Sequence, residues 1–301
     1  MRTALFASIA ALLLVPAAAR AQGQERQRID TTFAFEKNGA VELGLVSGDI
    51  VVTGWNRPEV KLFATIETGY FEYAASASRV RVNARSRRGR MGDQRIEISV
   101  PIGTEVRAST VSGNIAVRGT AARVQAGTVS GDLEVRDAVD EIEIHTTSGD
   151  LRAEKLRGRI RANTTSGDVV LDDVNGDLRL HTVSGTLRVR GALTGLEFES
   201  VSGDIEFRGD IKNEGTYTAH THSGDIRLTL PANVAANLDL STFSGDLRTE
   251  FPLTLQPGES ANRRGRQMQT TINGGGARMT LTTFSGDITI EKGAARPNKE
   301  D

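Results

Sequence analysis

The 301-residue chain is 25% charged and 38% hydrophobic, which is ordinary for a soluble protein and too apolar for a disordered one. Lys and Arg number 37 against 38 Asp and Glu, and a formal charge of −1 creates no field favouring nucleic acid or an anionic membrane. The lack of cysteine excludes disulfides, thiolate metal sites and a cysteine nucleophile, while 32 glycines against 7 prolines point to many short strands with tight turns.

Residues 1–21 read as a secretory signal: Arg2 supplies the positive start, residues 4–14 are almost unbroken aliphatic, and Ala19-Arg20-Ala21 offers the small-x-small cleavage pattern. The apolar run falls short of the roughly 20 residues a membrane span needs and contains Pro16. Cleavage after Ala21 implies an exported chain, periplasmic, outer-surface or extracellular, with no transmembrane segment in what remains. Residues 22–110 are expected to form N-terminal strands and a capping element, with strands over 60–66, 79–84 and 95–100 and a short helix over 70–78.

From there the chain repeats. Ser-Gly followed by Asp, Asn or Thr begins at Ser47, Ser112, Ser130, Ser148, Ser166, Ser184, Ser202, Ser223, Ser244 and Ser285, and from Ser112 to Ser202 every step is 18 residues. The next two steps are 21, and the outlying gaps of 65 and 41 leave room for diverged coils. Each eighteen divides into nines whose fourth and sixth positions are apolar, as in Leu133 and Val135, Ile142 and Ile144, or Leu187 and Val189. Apolar residues two apart with polar ones between mark a strand with one buried face. A strand this short cannot bury that face alone, but stacked coils can. The expected fold of 111–290 is therefore an all-β parallel β-solenoid with two short strands per coil and a loop insertion at 253–277. The right hand is the expected one, from the general preference of parallel crossovers. Residues 291–301 read as a polar tail.

Stacking at a period of 18 makes specific neighbours: Glu134 with Arg152, Arg136 with Glu154, Glu143 with Arg161, Arg179 with Glu197, and Arg188 with Glu206. The glycine column suits a corner with positive φ, and the aspartates after it can accept corner N–H groups. A hydroxyl column two residues before each serine, including Thr128, Thr146 and Thr164, is placed to hydrogen-bond from rung to rung.

Three segments, 46–67, 98–119 and 274–290, resemble the bacterial "putative adhesin" family of β-strand-repeat proteins, domain of unknown function 4097, and Gly54-Trp55 after the first Ser-Gly-Asp is the most specific point of likeness. The resemblance covers nearly the whole chain beyond the signal. It implies an exported repetitive β-structure and carries no catalytic residues or cofactor to transfer.

A serine repeated ten times outside any Gly-x-Ser-x-Gly elbow is a corner residue and not a nucleophile. The aspartates directly precede the buried aliphatic instead of standing two positions before it, unlike a calcium-binding β-roll. One column, His145, Asn163, His181, Glu199 and His220, sets His181, Glu199 and His220 on successive rungs, where two imidazoles and a carboxylate suit a divalent metal. Two Arg-Arg-Gly-Arg loops, with Arg87, Arg88 and Arg90 in one and Arg263, Arg264 and Arg266 in the other, suit an anionic polymer through forked hydrogen bonds. The functional expectation is a non-enzymatic adhesin or cell-envelope scaffold binding surface polysaccharide or envelope proteins, without nucleic acid, with open stack ends that allow self-association. The alternatives are a metal- or calcium-stabilised β-roll and a polysaccharide-acting β-helix enzyme.

Overall fold

The computed structural model describes residues 27–85, 92–252 and 266–293. Four strands of 16 residues, β11 (Leu133–Ser148), β12 (Leu151–Ser166), β13 (Val169–Ser184) and β14 (Leu187–Ser202), each form one coil. They pair in parallel, with Leu133 beside Leu151, Leu151 beside Val169 and Val169 beside Leu187. The fold is a parallel β-solenoid. Its pitch of 18 follows from the repeat, because only that offset returns every apolar position to the core.

Each coil was expected as two strands with a turn at either corner. The mid-coil corner is milder than that: Asp137, Lys155 and Asp173 take φ of 55°, 56° and 54°, redirecting the chain while pairing continues on both sides. The Ser-Gly corner is the one that interrupts the strand. It separates a leading sheet, made of the strands that end at the serines, from a trailing sheet of the strands that follow.

Inside, Leu133, Val135, Ala138, Ile142 and Ile144 are all within 1% of complete burial, and the same positions recur in the next coils. Large residues sit beside small ones from rung to rung: Val135, Ala153, Leu171, Val189 and Phe207 form one interior column and Ile144, Ala162, Leu180, Phe198 and Ala219 another. Columns that vary in this way fill the core at native density without strain.

Toward the N-terminus, β10 (Val124–Ser130) and β9 (Ile115–Arg118) extend the stack, followed by β8 (Glu105–Ser112). The next coil is not the preceding one in sequence. Strands β2 (Ala40–Gly44) and β3 (Gly48–Trp55) lie between β8–β9 and the coil built from β6 (Arg79–Arg85) and β7 (Gln94–Pro101). Ser47 therefore bridges Ser112 directly, and the 65-residue gap holds a coil stacked outside the first motif. The C-terminal end mirrors this. Strands β15 (Ile205–Ile211), β16 (Thr216–Ser223) and β17 (Ile226–Pro231) continue the stack, and then β21 (Ala277–Ser285) and β22 (Ile288–Gly293) are wedged between them and β18 (Ala236–Ser244) and β19 (Leu247–Thr249).

Antiparallel strands cover the N-terminal end and the leading sheet of the C-terminal end, whereas β19, among the described residues, pairs with β22 alone. β4 (Glu59–Ile66) lies on β7, β1 (Gln27–Ala34) on β4, β5 (Tyr70–Ala75) on β6, and β20 (Arg266–Ile272) on β18. The helix expected over 70–78 is strand β5, closed into a hairpin by Ser76, whose Oγ accepts from Arg79 N at 3.0 Å. Tyr70, Phe71 and Tyr73 favour a pleated surface, and the outer edge of β6 offered them one. Reversing direction at the ends presents the solvent with an edge unlike the stack, which discourages endless addition.

Candidate functional site

The Ser-Gly-Asp corners work as backbone machinery. Gly131 has φ 146°, and a Cβ built on it would lie 2.1 Å from the Gly113 carbonyl oxygen of the neighbouring rung, so conformation and proximity both demand glycine. The aspartates form a ladder. Asp150 N donates to Asp132 Oδ1 at 2.9 Å, Asp168 N to Asp150 Oδ1 at 3.1 Å, and Thr186 N to Asp168 Oδ1 at 2.9 Å. Asn114 uses its amide oxygen likewise for Asp132 N at 2.8 Å. Thr186 has no carboxyl or amide oxygen to offer, and the ladder resumes one rung later with Asp225 N on Asp204 Oδ1 at 3.0 Å. Arginines offset the aligned charges: Arg152 reaches Asp150 at 2.8 Å, and Arg248 holds Asp246 and Asp287 at 2.9 Å each.

The hydroxyl column is buried, and its bonds go to backbone oxygens instead of to other hydroxyls in the column. Thr128 donates to Gly113 O at 3.2 Å and Thr283 to Gly224 O at 3.2 Å, each on the neighbouring rung, whereas Thr182 turns to Ser184 O in its own corner at 3.1 Å. The corner carbonyls are the nearest acceptors once the side chains point inward.

Outside the trailing sheet lies a net of ion pairs. Arg136 meets Glu154 at 3.6 Å and Arg188 meets Glu206 at 3.4 Å, as the register demands, and on the leading sheet Arg179 meets Glu197 at 3.3 Å. Two expected pairs are replaced. Glu134 takes Arg118 at 2.5 Å and Arg136 at 2.6 Å while Arg152 turns to Asp150, and Arg161 prefers Glu141 at 3.0 Å to Glu143. Residues two apart on a strand, and diagonal ones, lie farther than those on adjacent rungs but within reach of long side chains, which therefore choose among several partners. Hydrogen bonding to Arg118 holds the Glu134 carboxyl below its ordinary range, and the same bond raises the guanidinium.

The imidazole column is on the leading sheet. His181 Nδ1 lies 2.9 Å from Glu199 Oε2, and Glu199 is registered beside His220. His145 uses Nε2 on Glu143 at 3.0 Å and Nδ1 on the Asn163 amide at 3.1 Å. Among the described residues, no group of three His, Asp or Glu side chains converges as a metal would need. Arg87, Arg88, Arg90, Arg263 and Arg264 lie outside the described residues. Of Arg266 only the backbone is described; it pairs with Thr242. Trp55 lies at the N-terminal end beside Lys37, Pro101 and Ile102 in a hollow of about 560 Å³, with the Arg57 guanidinium 5.0 Å from its ring centre and its indole N–H donated to Glu59 O at 2.8 Å.

One column escaped sequence reasoning. The residue before each corner serine points outward, and Val46, Val111, Val129, Val183 and Val201 are 44–50% exposed there. Toward the C-terminal end the column continues as His222, Phe284 and Phe243, stacked nearly parallel with ring centres 5.0 and 4.8 Å apart. The signal was present as the valine of each Thr-Val-Ser-Gly, but an aliphatic beside a corner reads as core.

The model of the Toastrack DUF4097 family matches residues 82–291. The chain belongs to that family. No curated protein matches the chain. Among solved structures, it is similar to a "putative adhesin" from Parabacteroides merdae (9% identity, 89% of this chain and 96% of that one covered, TM-score 0.38). It is also similar to a "putative cell adhesion protein" from Clostridium sporogenes (11% identity, coverage 89% and 100%, TM-score 0.26). A third is a "putative lipid binding protein" from Parabacteroides distasonis (12% identity, coverage 89% and 96%, TM-score 0.35). At these identities and TM-scores nothing about function passes from them to this chain. Among the described residues, no helix is long and apolar enough to cross a membrane.

Proposed function

We propose that this member of the Toastrack family is an exported, non-enzymatic scaffold that binds surface polymers or envelope partners along its faces, in the manner of an adhesin. The observation that carries the reading is that the repeated polar residues are engaged in holding rung to rung. The corner aspartates accept backbone N–H groups, most of the buried hydroxyls donate to backbone oxygens, and the charged side chains of the trailing sheet pair with one another. A catalytic centre instead needs a nonrepeating cluster of groups with a base free to act. Flat faces with a fixed spacing of about 4.8 Å per rung suit an extended partner better than a small enclosed ligand. Export rests on the signal expected in residues 1–21.

The test is a glycan-array and envelope-binding screen of the secreted protein, with N-terminal sequencing to locate cleavage after Ala21. Saturable retention by a glycan or an envelope fraction, without release of reducing sugar, is the expected result. Release of reducing ends from any polysaccharide in the panel would replace the scaffold with an enzyme, and failure to bind any of them would remove the adhesin reading.

A further inference from the structure

The exposed column before the corner serines is a ridge. It runs over ten rungs, or roughly 43 Å at the interstrand spacing. Its apolar members expose 44–67% of their surface. For five valines and two phenylalanines that amounts to roughly 600 Å² in total, in two apolar stretches joined through the methyl-bearing Thr147 and Thr165 in mid-column. With the serines and the column beside it, the strip approaches the roughly 800 Å² per partner of a standard interface.

The ridge changes height along its length. At the N-terminal end Val46, Val111 and Val129 stand beside Gly44, Ser109 and Gly127 in the neighbouring outward column, giving a low profile. At the C-terminal end His222, Phe284 and Phe243 stand tall, with Phe243 67% exposed. The rung spacing is the same throughout, so a second copy running the other way finds knobs at the same interval, with its tall end over this low end.

We propose that two copies of this chain associate side by side and antiparallel through these ridges, about a two-fold axis near Thr165 and Val183. Val111 of one copy then meets Phe284 of the other, Val46 meets Phe243, and each copy's His145 faces the other's Glu199 in the adjoining column. Further out, Arg161 opposes Arg179, which confines the contact to a narrow strip. The interface is isologous and closes at two, leaving the trailing faces outward.

Sedimentation velocity on the purified protein at tens of micromolar is expected to show a dimer. Thr147 and Thr165 already occupy this column, so V111T/V129T/V183T/V201T is compatible with the fold. It should weaken dimerisation at least 10-fold with an unchanged melting curve. Because the chain has no cysteine, V111C/F284C reports the arrangement directly. The two positions are seven rungs apart within one copy, so a disulfide between them forms only across the interface. A covalent dimer from the double variant, and none from either single variant, is expected. A monomeric parent protein overturns the proposal, including one that instead adheres to a glycan or lipid through these valines. A dimer indifferent to the threonine set also overturns it, pointing to the stack ends. Cross-linking by V111C alone overturns the antiparallel arrangement.

Discussion

On the trailing sheet most outward residues near the middle of the stack are charged: Glu134, Arg136, Arg152, Glu154, Asp172, Arg188, Arg190 and Glu206 each lie within reach of an opposite charge, and Val170 is the apolar residue among them. On the leading sheet beside the corner, the corresponding outward positions hold Val111, Val129, Thr147, Thr165, Val183 and Val201, uncharged throughout, with Ser109 and Gly127 next to the first two and the His181–Glu199 pair next to the last two. Both sheets bury the same kind of aliphatic inner face, and both run at the same pitch. The core therefore dictates the inward pattern on either side and leaves the outward one free. Exposed ion pairs contribute only about 0.2–1 kcal/mol each, and the ridge valines, about half exposed, are not part of the buried core. A difference that folding does not require reflects what each face meets.

Substitutions at four positions test that separation, the largest effect falling at the hinge between the faces. Gly131→Ala puts a methyl 2.1 Å from the Gly113 oxygen at φ 146°, and a loss of about 3 kcal/mol or more is expected by denaturant titration, with both faces disordered together. Asp150→Ala removes the acceptor for Asp168 N and should cost about 1–2 kcal/mol. Asp150→Asn should restore most of it, as Asn114 already fills the role. Equal losses from both would assign the effect to charge instead of the ladder.

The third position is on the leading face. Gly127 has room for a side chain, its nearest neighbour being His145 O at 3.8 Å, so Gly127→Thr should raise stability by about 0.5–1 kcal/mol in thermal melts. The smallest effect belongs to the charged face. Because Glu134 is held below its ordinary range, its contribution is complete above the unfolded value near pH ~4.3 and lost as pH falls through the folded value. The stability gap between parent and Glu134→Gln, about 1 kcal/mol at most at neutral pH, should close on acidification below that value. A gap that persists at the acid end would show that packing, not charge, separates the two proteins.

Much of the stack was legible. The 18-residue step placed Leu133 beside Leu151, and the opposite charges at Arg188 and Glu206 confirmed the register independently. Less legible was the order of coils at the ends, because every corner carries the same motif and any two coils are compatible neighbours. Ser223 is followed in space by Ser285 and not by Ser244 for this reason. The hairpin of Tyr70–Ala75 was hidden because its burial does not alternate, an edge strand having only one partner. The candidate surface was the least visible part. Composition marks valine as interior, and only its phase relative to the buried threonine, Thr128 in and Val129 out, reveals the ridge.

The wedged coil at the C-terminal end bears on the order in which the stack is completed as the chain is made. Strands β18 and β19 are synthesised before the segment that will separate them from β16 and β17. Their resting place is defined only when β21 and β22 arrive, so the last structured stretch to appear acts as a keystone. Until then the growing stack has a provisional end, and afterwards β21 and β22 cannot be drawn away without breaking pairing on both of their sides.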